Sequence, residues 1–134
     1  MPKTIVWIED DSDIIEPVIR PLQQAGHLFV RLRTATEALE AVEQIREADL
    51  ILIDLIVPPG GAKGRFGRYA GLDVLRELRE VHNVETPAVL LTVVTREEVV
   101  EQAKQFNVVD VVRKPVLPSE LKERVERALG LLGE

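Results

Sequence analysis

The sequence predicts an α/β fold, a doubly wound five-stranded parallel sheet in the order 2-1-3-4-5 with helices on both faces. Three observations predict it. Five short, β-branched, nearly uninterrupted apolar runs recur along the chain, the pattern of strands buried on both sides. Segments with apolar residues at helical spacing separate them. The length, 134 residues, suits one domain with a full core, and the absence of cysteine means that core must hold without disulfides.

Each element follows in turn. The first strand is 5–8, and the helical segment after it places Ile14, Ile15, Val18, Ile19, Leu22 and Ala25 on one stripe. Pro17 and Pro21 interrupt that stripe, which predicts a kink or a late helical start. The second strand, 28–32, leads to a helix carrying Ala35, Ala38, Leu39, Val42 and Ile45, opened by Thr34 and Glu37 at capping-box spacing. After the third strand, 50–53, comes an irregular stretch, 58–71, too long for an ordinary connection. It holds five of the eight glycines and the basic residues Lys63, Arg65 and Arg68, with no acid. A helix on Leu72, Leu75 and Leu78 follows, then strand 88–91. Thr95 and Glu98 form a second capping-box pair before the helix of Val99, Ala103 and Phe106. Strand 108–112 and a last helix on Leu121, Val125, Ala128, Leu129 and Leu132 complete five βα units, a flavodoxin-like (βα)5 arrangement. The expected organisation is a single domain over 1–134 with no output domain.

Composition narrows the function. Seventeen Lys and Arg against 23 Asp and Glu leave a net charge of −6, which argues against direct nucleic-acid or anionic-membrane binding. Thiolate sites are excluded, and two histidines, His27 and His82, make a multi-histidine metal site a poor fit. Both lie at segment edges and are expected to be exposed. Neither a membrane-length apolar run nor a signal-peptide pattern occurs, so a cytoplasmic protein is expected.

In an open α/β sheet, ligands bind beyond the carboxyl ends of the strands. Strand 1 is followed by Glu9, Asp10 and Asp11, strand 3 by Asp54, strand 4 by Thr92, and strand 5 by Arg113, Lys114 and Pro115. The predicted order makes those four strands neighbours, with Asp54 near the middle of a shallow site. Crowded carboxylates repel unless a cation joins them, and an all-oxygen donor set suits Mg²⁺, with Asp10 and Asp54 as ligands. With phosphate charge neutralised, a carboxylate can act as nucleophile and form an acyl phosphate. Asp54 is best placed for this, Lys114 to offset developing charge, and Thr92 to donate a hydrogen bond. One Asp after one strand is ordinarily a cap or turn residue. The weight lies in the full set at successive strand ends.

The stretches Ile5-Val-Trp-Ile-Glu-Asp-Asp11, Leu50-Ile-Leu-Ile-Asp54-Leu-Ile-Val-Pro58, Pro87-Ala-Val-Leu-Leu-Thr92 and Val112-Arg-Lys114-Pro115 together resemble the receiver domain of bacterial two-component response regulators, over essentially the whole chain. The resemblance implies that Glu9 and Asp10 are the acidic pair, with Glu9 an outer or water-mediated metal contact. It makes Asp54 the phosphoacceptor, Ile56 a backbone-carbonyl metal ligand, Thr92 the switch hydroxyl and Lys114 the phosphate-contacting lysine. It further implies Mg²⁺ or Mn²⁺ as cofactor and a cis bond before Pro115. The donor would be a histidine kinase or histidine phosphotransfer protein in a phosphorelay, and the downstream protein target would bind about residues 96–132. A homodimer stays open, no direct nucleic-acid or membrane partner is expected, and no independent substrate turnover. The alternatives are a phosphorylation-independent adaptor and a haloacid dehalogenase type of enzyme. The latter needs a second Asp two positions after the nucleophile, where this chain has Ile56.

Several residues depart from the family pattern. Val111 stands where a ring commonly reports the switch, and Val93 where a small residue is favoured, which predicts crowding of the phosphoryl group. The segment GGAKGRFG lacks the GK[ST] of a phosphate-binding loop. The plain reading of this segment is a mobile insertion; the sharper alternative is that Lys63, Arg65, Phe66, Arg68 and Tyr69 form a basic, partly aromatic lip beside the site that recognises a partner or an anion. Asp11 is expected to serve as a helix N-terminal charge, Trp7 as core, and the charged runs 76–80 and 120–127 as solvated helix faces.

Overall fold

The computed structural model describes residues 2–61 and 64–132. β1 (Thr4–Ile8) is followed by one 3₁₀ turn (Glu16–Ile19) that runs into a short α1 (Arg20–Gln24). Then come β2 (Leu28–Leu32), α2 (Ala35–Glu40), α3 (Val42–Glu47), β3 (Leu50–Ile53), α4 (Ala70–Glu80), β4 (Ala88–Thr92), α5 (Glu97–Lys104), β5 (Val108–Arg113) and α6 (Pro118–Ala128). The strands form one parallel sheet in the order β2-β1-β3-β4-β5, the order expected from the sequence.

Strand pleating sends alternate residues to opposite faces, and the core divides accordingly. Val6, Ile8, Ile51, Ile53 and Leu90 pack under α2 to α5, while Ile5, Trp7, Leu50, Leu52, Val89 and Leu91 pack under α1 and α6. Each fully buried Leu or Ile stabilises the fold by roughly 1.5–3 kcal/mol, so this two-faced burial holds the sheet rigid. The register places the strand ends. Ile8 pairs with Ile53, so Glu9 and Asp54 leave the sheet side by side, and Thr92 pairs with Arg113, so Lys114 leaves beside it.

Four details differ from the sequence reading. The second helix is two helices, because Ala41 departs from helical geometry (φ −106°, ψ 28°); the bend lets Val42 and Ile45 stay against the sheet. Only one capping box forms. The Thr34 hydroxyl accepts from the Glu37 N–H at 3.0 Å, and the Glu37 carboxylate accepts from the Arg33 N–H at 2.6 Å. At α5 the cap is Arg96, not Thr95, since Glu98 is drawn into an ion pair with the Arg96 guanidinium. The last helix ends at Ala128, and Gly130 lies at φ +75° just beyond it, the left-handed stop that glycine favours.

The fourth difference is His27, which is buried rather than exposed. Its Nδ1 accepts from the Lys3 N–H at 3.1 Å, so the ring proton sits on Nε2 and is donated to Glu126 at 3.1 Å. Glu126, within the supposedly solvated run 120–127, is therefore also buried. The pair ties α6 to the start of β2 across the sheet. Hydrogen bonds from Lys122, then from His27, hold the Glu126 carboxyl below its ordinary value of 4.5, against the opposing effect of burial. A depressed carboxyl stabilises the fold above pH 4.5 and loses that contribution as pH falls through its lower folded value. Replacing His27→Ala should cost about 2 kcal/mol in urea unfolding at neutral pH, and Glu126→Gln should flatten the acid limb of the stability curve below pH 4.5.

Candidate functional site

The carboxyl ends of β1, β3, β4 and β5 bring four predicted residues into direct contact. Asp54 Oδ1 accepts from the Thr92 hydroxyl at 2.7 Å and from the Ile56 N–H at 3.1 Å. Asp54 Oδ2 accepts from Lys114 Nζ at 2.8 Å, and the same ammonium donates to Glu9 Oε1 at 2.6 Å. The other Glu9 oxygen accepts from the Asp11 N–H at 3.2 Å. Thr92 Oγ1 accepts in turn from the Val94 N–H at 3.2 Å. Lys114 is aimed by its own backbone: its N–H donates to the Thr92 carbonyl at 3.1 Å, and its bond to Pro115 is cis, as the family resemblance implied.

Thr92 is fully buried, Glu9 is 1% exposed and Asp54 6% exposed, so these charges sit largely out of water. Burial pushes the Glu9 carboxyl up, an effect that the Lys114 ammonium only partly offsets. Burial alone would push Lys114 down, but its hydrogen bonds and attraction to Asp54 and Glu9 win and hold it above its ordinary value. The result is one cation fixed between two carboxylates at the floor of a cleft of about 450 Å³.

The rest of the acidic set lines that cleft. One carboxylate oxygen from each of Glu9, Asp10 and Asp11 lies within 4.8 Å of the others. Asp10, Asp54 and Ile56 share the cleft wall. Every donor is an oxygen, the chemistry of a hard divalent cation, and Glu9 is already committed to Lys114 and Asp11 N–H. The residues present therefore fit such an ion. Asp11 belongs to this cluster rather than to a helix N-terminus, because Pro17 delays regular structure until Glu16.

A family model for the response regulator receiver domain matches residues 5–126. The chain belongs to this family. The DNA-binding response regulator MtrA of Mycobacterium tuberculosis (strain H37Rv) is 32% identical over 129 residues, 96% of this chain and 51% of its own length. Response regulator SaeR of Staphylococcus aureus (strain USA300) is 24% identical over 126 residues, 93% of this chain and 50% of its own. The chain thus spans about half the length of the curated relatives it matches. Among solved structures, a CheY-like receiver domain protein from Methanospirillum hungatei JF-1 superposes with a TM-score of 0.76 at 20% identity, covering 97% of this chain and 95% of that one. NtrX of Brucella abortus gives 0.76 at 27% identity over 97% of this chain and 27% of its own. The expectation of no nucleic-acid partner finds no support here, since MtrA is named as DNA-binding.

Within this receiver, the long loop does not form the expected lip. Lys63 lies outside the described residues. Arg65 turns down onto α4, 2.5 Å from Glu77, and the Gly67 N–H donates to Asp73 at 2.8 Å. Phe66 and Tyr69 pack against the core. Ion pairing and ring burial thus fold 64–69 over α4, and none of these residues lines the acidic cleft. At its start the loop serves α2: the Pro58 and Pro59 carbonyls accept from the Ala35 and Thr36 N–H groups that open that helix.

The sequence reading missed an apolar groove of about 530 Å³ beside Lys114, walled by Ile14, Ile15, Val18, Val93 and Val116. Ile14 is 76% exposed because the unwound segment before Glu16 cannot turn it inward. Pro17 and Pro21, which predict the late helical start, are the sequence signal for this groove. Gly71 is the other missed residue. Its N–H donates to the Leu55 carbonyl, and a Cβ there would lie 2.0 Å from the Asp54 carbonyl oxygen. Only glycine lets α4 approach the strand end so closely. Gly71→Ala should cost at least about 2 kcal/mol in urea unfolding and shift the amide resonances of Asp54 and Leu55 in a two-dimensional NMR spectrum; an unperturbed spectrum would refute this role.

Proposed function

We propose that Asp54 accepts a phosphoryl group from a histidine kinase or histidine phosphotransfer protein in a Mg²⁺-dependent reaction, and that the phosphorylated receiver changes its partner binding. The observation that carries this reading is the Asp54 carboxylate held by both the Thr92 hydroxyl and the Lys114 ammonium in an acidic cleft.

An Asp54 carboxylate oxygen attacks the phosphorus of a donor phosphohistidine. The P–O bond forms as the P–N bond breaks, and the imidazole leaves with the electron pair and is neutralised by a proton. Asp10, Asp54 and the Ile56 carbonyl are the proposed direct ligands of Mg²⁺ or Mn²⁺, with Glu9 acting through water. When bound, the ion neutralises charge on the phosphoryl oxygens. Lys114 follows the negative charge outward from the carboxylate, while Glu9 keeps the ammonium anchored. Thr92 can exchange its bond to Asp54 Oδ1 for one to a phosphoryl oxygen, and because its oxygen holds the Val94 N–H, the 93–96 segment and α5 follow.

The downstream target would bind about residues 96–132. No separate substrate is turned over, and a cytoplasmic setting fits the donor chemistry. The complete set of Glu9, Asp10, Asp54, Thr92 and Lys114 favours this over an adaptor that works without phosphorylation.

Intact-protein mass spectrometry after incubation with Mg²⁺ and acetyl phosphate should show one added phosphoryl group, lost with chelator and in Asp54→Asn. An adduct that survives Asp54→Asn would place the acceptor elsewhere. Val93, 60% exposed, lines both the cleft and the groove and so shields the acyl phosphate from water. Val93→Ala should shorten the phosphoryl half-life several-fold, followed by loss of the adduct over time; an unchanged half-life would remove that role.

A further inference from the structure

We propose that Arg33, at the end of β2, is a positioning residue that holds Asp10 in place for the divalent cation. This inference rests on the cation reading of the site given above. The segment that carries Asp10 has little to hold it. Regular structure does not begin until Glu16, and among the described residues the intervening backbone is held by the Ile14 and Ile15 N–H groups donating to the Asp11 carbonyl, the Asp11 N–H donating to Glu9 and the Ile15 carbonyl accepting from the Val18 N–H. The segment is also crowded with like charge, carrying Glu9, Asp10, Asp11, Asp13 and Glu16 without one basic residue.

The cations that face it come from elsewhere. Lys114 reaches Glu9 from the end of β5. Arg31 reaches Glu16 at 2.6 Å and stacks over Trp7. Arg33 spreads its two terminal nitrogens across the turn: Nη2 donates to the Asp13 carboxylate at 2.7 Å, and Nη1 to the Asp10 backbone carbonyl at 3.4 Å. Arg33 is itself fixed, since its N–H is bound by Glu37 of the capping box that opens α2.

The choice of acceptor is informative. Arg33 grips Asp10 by its carbonyl and leaves the Asp10 carboxylate without a hydrogen bond from any described residue, free to ligate. A guanidinium on the carboxylate itself would compete with the cation. The planar fork presents two separate nitrogens in a fixed relation, one to each acceptor, whereas a lysine ammonium would have to reach both from one nitrogen on a flexible stem. Arg33 is 45% exposed at its side chain, so its ion pair adds little to global stability. Its effect is local.

Positioning and simple charge predict opposite signs. If Arg33 acted only through its charge, removing a cation near the site would tighten Mg²⁺ binding. If it positions Asp10, removal should weaken binding by about tenfold, the lower end for outer-shell residues. The test is Mg²⁺ titration of Trp7 fluorescence in wild type, Arg33→Gln and Arg33→Lys, with urea midpoints and hydrogen exchange at the Ile14 and Ile15 amides measured without metal. Both variants are expected to bind Mg²⁺ about tenfold more weakly, at unchanged urea midpoints, and to exchange faster at the two amides. Unchanged or tighter Mg²⁺ binding in Arg33→Gln, wild-type binding in Arg33→Lys, or unchanged exchange would each overturn the proposal. A wild type with no saturable response would instead overturn the cation reading, and the hold of Arg33 on the turn would then stand or fall on exchange alone.

Discussion

The arrangement on which the rest depends is the Lys114 ammonium lodged between Glu9 and Asp54, 2.6 Å from one carboxylate and 2.8 Å from the other. Two buried carboxylates side by side would carry a large desolvation cost and mutual repulsion. One ammonium with a hydrogen bond to each removes most of that penalty while leaving a net negative charge and spare oxygen lone pairs. The remaining acidity is what the proposed hard cation would need, and the remaining lone pairs are what the proposed attack by Asp54 would use.

That geometry is only as good as the strands that deliver it. Glu9 and Asp54 emerge from directly paired positions, and Thr92 and Lys114 from the adjoining pair, so four side chains on four chain segments meet without any loop having to find its own conformation. A parallel sheet buried on both faces is the stiffest support available for this. Gly71 shows how tightly the frame is drawn, since the start of α4 leans on the Asp54 and Leu55 backbone with no room for a methyl group. The Asp54 backbone is thereby fixed from behind, as its carboxylate is from its sides.

Most of this was legible in the sequence because it is local. Apolar runs mark strands, and strand ends mark where Glu9, Asp54, Thr92 and Lys114 meet. What was not legible depends on long-range pairing or on competition between near-equal local choices. His27 looks like a turn residue until Glu126, 99 positions away, arrives beside it. Thr95 has the spacing of a cap, but Arg96 captures the carboxylate that the box requires. The basic residues of the long loop look like a lip until Arg65 finds Glu77 and the rings of Phe66 and Tyr69 find the core. Pro17 forecast a late helical start and was right, yet the exposed Ile14 and the groove beside Lys114 that follow from it need the tertiary structure to be seen.

Val111 sharpens the question of how a change at Asp54 would travel outward. A ring on β5 could swing between two positions, whereas a β-branched valine within a strand is stiff at χ1. The remaining physical route is the main chain. The Thr92 hydroxyl sits between Asp54 Oδ1 and the Val94 N–H, so any displacement of that hydroxyl pulls directly on the backbone two residues later. Val94 is buried, and α5 begins only three residues beyond it, capped by Arg96. A rigid sheet that cannot absorb the displacement would hand it to this short segment. The stiffness that fixes the site and the motion that would report on it are therefore two consequences of the same packing.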